Sequence, residues 1–141
     1  MIIEIMETLI NRPARSLQYF AIGKQWSVDL DFHCTELIFL NRLLDDYFIR
    51  LSAPHYIEKL KKIKKDLSNV EEQCQKTAEL LSLQMVLLEL MYDDVIPENI
   101  QSLETKQIDL EYLMNDLNRA FRKTKKVLFR MIEELVQNDE L

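Results

Sequence analysis

His33 and Cys34 adjoin in the chain, and Glu36 follows three residues after the histidine. If the helix carrying them packs beside a helix carrying Cys74, a His, a Cys and a carboxylate converge. That donor set suits zinc or another divalent ion. The spacing matches no established ligand motif, and the Glu-x-x-His pairs of di-iron bundles are absent. A buried, hydrogen-bonded histidine beside ordinary core cysteines is therefore the favoured reading. His33 and Cys74 stand as the metal candidates, and no metal or cofactor is expected. The same placement makes a Cys34–Cys74 disulfide geometrically conceivable in an oxidising compartment.

Other chemistry has less to stand on. No Ser-His-Asp or Cys-His arrangement is supported by these positions, and a chain with one glycine, Gly23, cannot form the usual glycine-rich phosphate loop. The acid pairs Asp45–Asp46 and Asp93–Asp94 fall on helix surfaces or ends, where solvation accounts for them. Polar residues Thr77, Gln84, Gln107 and Thr124 interrupt otherwise apolar helix faces. Gln84 and Gln107 fall at similar heights, so they are expected to pair and fix register; a polar-lined ligand cavity is the alternative. Met85, Met91 and Met114 are read as gap-fillers of a core.

The most concentrated charge is the stretch 59–67, "KLKKIKKDL", with five lysines in a chain of net charge −6. A second basic stretch, "RAFRKTKKVLFR", covers 119–130. Residues 50–66 and 118–134 together hold 12 of the 18 basic residues and only four acids, Glu58, Asp66, Glu133 and Glu134. Charge runs are usually the solvated face of a helix. Two features favour a docking surface for an anionic partner: seven of these twelve cations have no acid three or four residues away, and Lys61–Lys65 and Arg122–Lys126 are like-charge pairs. The candidate residues are Arg50, Lys59, Lys61, Lys62, Lys65, Arg119, Arg122, Lys123, Lys126 and Arg130. Nucleic acid is a disfavoured partner. The sequence pI is about 5.0, and neither a recognition helix nor an aromatic stacking platform is evident.

The elements that position these residues are helices. One glycine and three prolines in 141 residues leave little material for turns. Helix A is expected to begin near Ser27 or Asp29, both good caps. It carries one stripe of Leu30, Leu37, Leu40, Leu44, Tyr47 and Leu51 and a second of Phe32, Phe39, Leu43 and Phe48, which implies two neighbours. "LSAPHY" breaks the chain, with Ser52 or Ala53 as cap and Pro54 in the first turn of helix B, about 54–94. Its apolar positions run Tyr56, Leu60, Ile63, Leu67, Val70, Cys74, Thr77, Leu81, Gln84, Leu88, Met91 and Val95, alternating fours and threes. "DDVIPEN" is the second break. Helix C, about 98–137, repeats the spacing through Ile100, Leu103, Gln107, Leu110, Met114, Leu117, Phe121, Thr124, Leu128, Met131 and Leu135.

Short connections make consecutive helices antiparallel. Folding about Pro97 sets Ile63 near Ile132 and Cys74 near Ala120, and brings the two basic stretches side by side. The chain is then basic at the A–B turn end and acidic at the B–C turn end. Folding about Ala53 sets Cys34 near Glu72 and Leu30 near Lys76. Helix A covers only the first half of helix B, yet 80–92, "LLSLQMVLLELMY", is apolar on almost every side. Its cover is expected from the chain's own first 26 residues, read as a short helix at 2–11 and an irregular stretch through "NRPARS", or from a second copy. The apolar contact residues named on this basis are Trp26, Leu83, Val86, Leu87 and Leu90.

The expectation is an all-α protein: an antiparallel bundle of three long helices over 27–141, with an N-terminal apolar arm, 1–26, as a partial fourth element. With 13 residues including Gln84 and Glu89, the most apolar run is too short for a membrane span. Acids at Glu4 and Glu7 disfavour an export leader, and two cysteines suit a reduced cytoplasmic setting. The function expected is that of a non-enzymatic intracellular interaction or adaptor protein. With coiled-coil-like helix packing, it would self-associate as a dimer through the apolar surface near 80–92, by exchange of the N-terminal arm among other routes, or bind a protein partner, and its basic end would dock an anionic surface. The alternative is a small-ligand or metal-binding bundle, enzymatic activity included.

Overall fold

The computed structural model describes the backbone of residues 2–97 and 99–139 and the side chains of 15–97, 99 and 101–138. The chain is all-α, with three long helices packed antiparallel in sequence order and one short helix; no strand occurs among the described residues. The helices are α1 (Ile2–Asp46), α2 (Phe48–Leu51), α3 (Ile57–Tyr92) and α4 (Ile100–Asp139). The apolar residues Ile2, Ile3, Ile5, Met6, Leu9 and Ile10 of the expected arm, and Ile100 of helix C, lie outside the described side chains.

Helix α1 departs from the expectation of a start near Ser27. Its helical backbone is continuous from Ile2, and "NRPARS" is part of it rather than an irregular stretch. The two expected caps are used inside the helix. Ser27 Oγ donates to the Gly23 carbonyl at 3.0 Å, and Gln25 Nε2 donates to Asp29 Oδ1 at 3.1 Å. Bonding back to the i−4 carbonyl is what a serine does mid-helix, and an i, i+4 Gln–Asp pair supports a helix surface.

The breaks are resolved locally. Pro54 is not in the first turn of α3. Residues 53–56 form a tight turn, with Tyr56 N and Ile57 N both donating to the Ala53 carbonyl, at 2.9 and 3.0 Å. Helix α3 ends in a Schellman arrangement: Val95 N donates to the Leu90 carbonyl at 2.9 Å and Asp94 N to the Met91 carbonyl at 3.2 Å. Asp94 takes φ 57° to close it, the left-handed conformation such a cap demands. Asn99 opens α4: its Oδ1 accepts from Ser102 N at 3.1 Å, satisfying one otherwise orphaned donor of the first turn.

The chain forms two compact units. The first comprises Met1–Leu30 and Lys76–Met114. Its core holds Leu30, Leu81, Leu88, Leu103, Leu110 and Met114. Buried Gly23 lets α1 approach α3 closely; a Cβ there would drive into Met85 Sδ and meet Leu81 Cδ1 at 3.6 Å. Ser16, Leu17 and Phe20 line one pocket with Leu88 and Tyr92 of α3. Arg15 pairs with Glu104 across α1 and α4, an exposed pair of small energetic weight.

The second unit comprises Asp31–Gln75 and Asn115–Leu141. Its core runs through Leu37, Leu40, Leu44 and Leu51, through Leu60, Ile63, Leu67, Val70 and Cys74, and through Leu117, Phe121, Leu128, Met131 and Leu135. Each fully buried leucine contributes about 1.5–3 kcal/mol of transfer free energy. Asn138 with Tyr56 and Glu134 with Lys59 show α3 and α4 running in opposite directions. Glu36 with Lys125 and His33 with Asn118 show α1 and α4 running together.

Every described position on the expected α3 and α4 faces is buried except two. Met91 is half-buried in the last turn, and Val95, 66% exposed, lies beyond it. Helix α1 meets two neighbours, α3 through Cys34 and α4 through His33 and Glu36, but the expected second stripe does not make the second contact: Leu43 is half-buried, and Phe32 is 58% exposed, Phe39 53% and Phe48 40%.

Candidate functional site: a basic groove in the second unit

The lysines of α3 face outward because the buried positions Leu60, Ile63 and Leu67 fix the rotation of the helix. A three-four spacing on one face leaves 59, 61, 62, 64 and 65 on the others. The same holds on α4, where Phe121, Thr124, Leu128 and Met131 turn inward. All ten candidate residues, Arg50, Lys59, Lys61, Lys62, Lys65, Arg119, Arg122, Lys123, Lys126 and Arg130, are exposed.

The antiparallel register gathers three of them. Lys59 and Lys62 from α3 and Arg130 from α4 line one groove of about 230 Å³, with Ile63, Val127, Met131 and Glu134. The apolar side chains and the cations come from alternate positions of the two helices, so an apolar floor carries a cationic rim. The one acid, Glu134, is 4.0 Å from Lys59. Both partners are about half exposed, so this pair is weak. Lys62 and Arg130 have no ion-pair partner among the described residues. Arg50, Lys61, Lys65, Arg119, Arg122, Lys123 and Lys126 do not line the groove. Of these, Lys61 lies 3.6 Å from Glu58, and Arg50 stacks on the Tyr47 ring at 5.6 Å.

Two further cations are engaged within the unit. Lys125 Nζ reaches both carboxylate oxygens of Glu36, at 2.8 and 3.1 Å, in a partly buried pair. Lys64 Nζ sits 4.5 Å from the centroid of Phe48. Lys62 and Arg130 in the groove, and Lys65, Arg119, Arg122, Lys123 and Lys126 outside it, stay exposed without an ion pair among the described residues.

The metal candidates do not converge. His33 Nε2 is 2.6 Å from Asn118 Oδ1, and its ring packs on Phe121 with centroids 4.5 Å apart. Glu36 is taken by Lys125. Cys74 faces Cys34, with 3.8 Å between the sulfurs. Among the described residues no group of three or more His, Cys, Asp or Glu is placed to hold a metal ion. Asn118, which the sequence reading passed over, engages His33 Nε2, and His33 Nδ1 is buried without a hydrogen-bond partner.

In the first unit, Leu83 and Leu87 line a second groove, of about 180 Å³, with Leu80, Gln84, Lys106, Asp109, Leu110 and Leu113. Leu83 is 64% exposed and Val86 54%, while Trp26, Leu87 and Leu90 are half-buried. The expected Gln84–Gln107 pair does not form. Gln84 is 3% exposed, and neither its Nε2 nor its Oε1 has a hydrogen-bond partner. Register is held by apolar packing at this level, and the amide remains unspent.

No helix among the described residues is long and apolar enough to cross a membrane. No protein-family model, curated protein or solved structure matches the chain.

Proposed function

We propose that this chain is a non-enzymatic helical interaction protein that docks an acidic, amphipathic helix of a partner protein in the groove between Lys59, Lys62 and Arg130. The observation that carries this reading is the composition of that groove: apolar side chains of Ile63, Val127 and Met131 beneath cations with little internal neutralisation. An apolar floor supplies affinity, and a cationic rim supplies orientation and rate of encounter. A groove between two antiparallel helices also accepts a third helix by ridge-into-groove packing. A self-associating form of the protein is part of the reading, supported by the exposed Leu83 and Val86 of the first unit.

The test is a titration of a fluorescent acidic amphipathic peptide against the full chain, read by anisotropy. Lys62→Glu with Arg130→Glu is expected to weaken binding at least about tenfold at low salt. Added salt is expected to weaken the wild-type complex. Equal binding by the double variant, with unchanged helix content, contradicts the reading.

A second reading has its own observation. Gln84 presents a buried amide without a partner in the wall of the 180 Å³ groove, which supports a small apolar ligand with a hydrogen-bonding head. Soaking or titrating short primary amides distinguishes it: Gln84→Leu removes a binding that depends on the amide and spares one that depends on the leucines.

A further inference from the structure

Cys34 on α1 and Cys74 on α3 meet inside the second unit with their sulfurs 3.8 Å apart. A disulfide needs about 2.05 Å, so the remaining approach is about 1.8 Å, within reach of rotation about the two Cα–Cβ bonds. The two cysteines differ in access. Cys34 is exposed, whereas Cys74 is 1% exposed in the helix core. An oxidant in solution therefore meets one sulfur and not the other. The partner sulfur is already in contact with the first.

We propose that Cys34 and Cys74 are a reversible dithiol–disulfide pair that staples α1 to α3, with Cys34 receiving the oxidant and Cys74 closing the bond. The oxidant class is a low-molecular-weight disulfide, RSSR. In the first step the Cys34 thiolate attacks one sulfur of RSSR; a mixed disulfide forms on Cys34, the R–S–S–R bond breaks, and one thiolate RS⁻ leaves and takes up the proton that Cys34 lost. In the second step Cys74 gives up its proton and attacks the Cys34 sulfur. The Cys34–Cys74 bond forms, the mixed disulfide breaks, and the second RS⁻ leaves and is protonated. Two protein thiols are oxidised and one RSSR is reduced to two RSH.

Burial raises the Cys74 thiol, so its thiolate is scarce near neutral pH. The part of that rise owed to Cys34 disappears once Cys34 carries the mixed disulfide, and the closing attack is then intramolecular, across the contact already present. The closed bond ties residues 40 positions apart and removes conformational freedom from the unfolded chain.

The test treats the reduced full chain with oxidised glutathione and follows it by mass spectrometry and thermal melting. The expected sequence is a glutathione adduct on Cys34, then loss of the adduct with a net loss of two hydrogens, and a melting midpoint raised by about 5–15 °C. Dithiothreitol reverses both changes. Cys74→Ser stops at the Cys34 adduct, and Cys34→Ser takes no adduct under native conditions. A stable adduct on wild-type Cys34 that never closes overturns the proposal. So do adducts on both cysteines, or disulfides formed only between chains. The wild-type readout stands by itself if either variant folds poorly.

Discussion

Asn138 Nδ2 donates a 3.0 Å hydrogen bond to the phenol oxygen of Tyr56, which precedes it by 82 positions. It joins the residue preceding α3 to the last turns of α4, and it sets the register from which the basic groove follows. With 56 opposite 138 and 59 opposite 134, Lys62 falls on the same groove as Arg130. Tyr56 is buried at 7% exposure, so the bond is partly shielded from water. A double-mutant cycle of Tyr56→Phe and Asn138→Ala, read by urea denaturation, is expected to give a coupling of about 0.5–1.5 kcal/mol. A coupling near zero would place the two residues apart in solution.

The C-terminal cap of α3 rests on Asp94 at φ 57°. A side chain with a Cβ pays a conformational penalty there that glycine does not. Asp94→Gly removes a left-handed penalty of about 1–2 kcal/mol against glycine's chain-entropy cost of about 0.5–1 kcal/mol, so it is expected to raise stability by up to about 1 kcal/mol, and Asp94→Val to lower it. Chemical denaturation of the three proteins checks the order. Loss of stability in the glycine variant would contradict the left-handed cap.

Gly23 is the close-contact point of the first unit. A side chain there collides with Met85, so Gly23→Val is expected to cost about 1–3 kcal/mol. Met85→Ala should restore part of that loss by vacating the space. Ala21→Val, at an exposed position of the same helix, should fall within about 0.5 kcal/mol of the wild type. Without the rescue, the contact is not the one described.

Stability should also fall at alkaline pH under reducing conditions. The Cys74 thiol ionises near 9.0 when unperturbed and is pushed up to about 12 in the folded chain by burial, Cys34 and Glu71. The folded state thus holds its proton after the unfolded state has lost it. The contribution is intact below about pH 9 and is lost as pH rises toward 12, with a slope of at most about 1.4 kcal/mol per unit. Lysines and tyrosines titrate in the same range, so the comparison is with Cys74→Val, in which this part of the slope should disappear. Parallel curves for the two proteins would refute the assignment.

The helix faces were legible because burial repeats at a fixed spacing. Leu60, Ile63, Leu67, Val70, Cys74, Thr77, Leu81, Gln84 and Leu88 can be read straight from the residue order, and all are buried. The hairpin levels followed from counting outward from the breaks: Cys34 was expected beside Glu72 and meets Cys74. Helix α1 was harder to read because its outer face is also apolar. Val28, Phe32, Ile38 and Phe39 are all more than half exposed, which blurs the period that marks a buried face. A proline-bearing stretch then read as a break although the helix continues through it. The groove cations could be named from sequence as part of a set of ten, but not singled out, because which lysine shares a groove with which arginine depends on helix rotation. Asn118 carried no signal at all; an asparagine between Leu117 and Arg119 looks like surface until His33 is placed against it.

The account stands most directly on where an acidic helix binds. Titrating an acidic amphipathic peptide into the isotope-labelled full chain and following backbone amide and methyl resonances locates the contact residue by residue. The account predicts shifts centred on Lys62, Ile63, Val127, Arg130 and Met131, diminishing with added salt. Shifts that centre on Leu83 and Leu87, or the absence of any saturable shift at the basic groove, would contradict it.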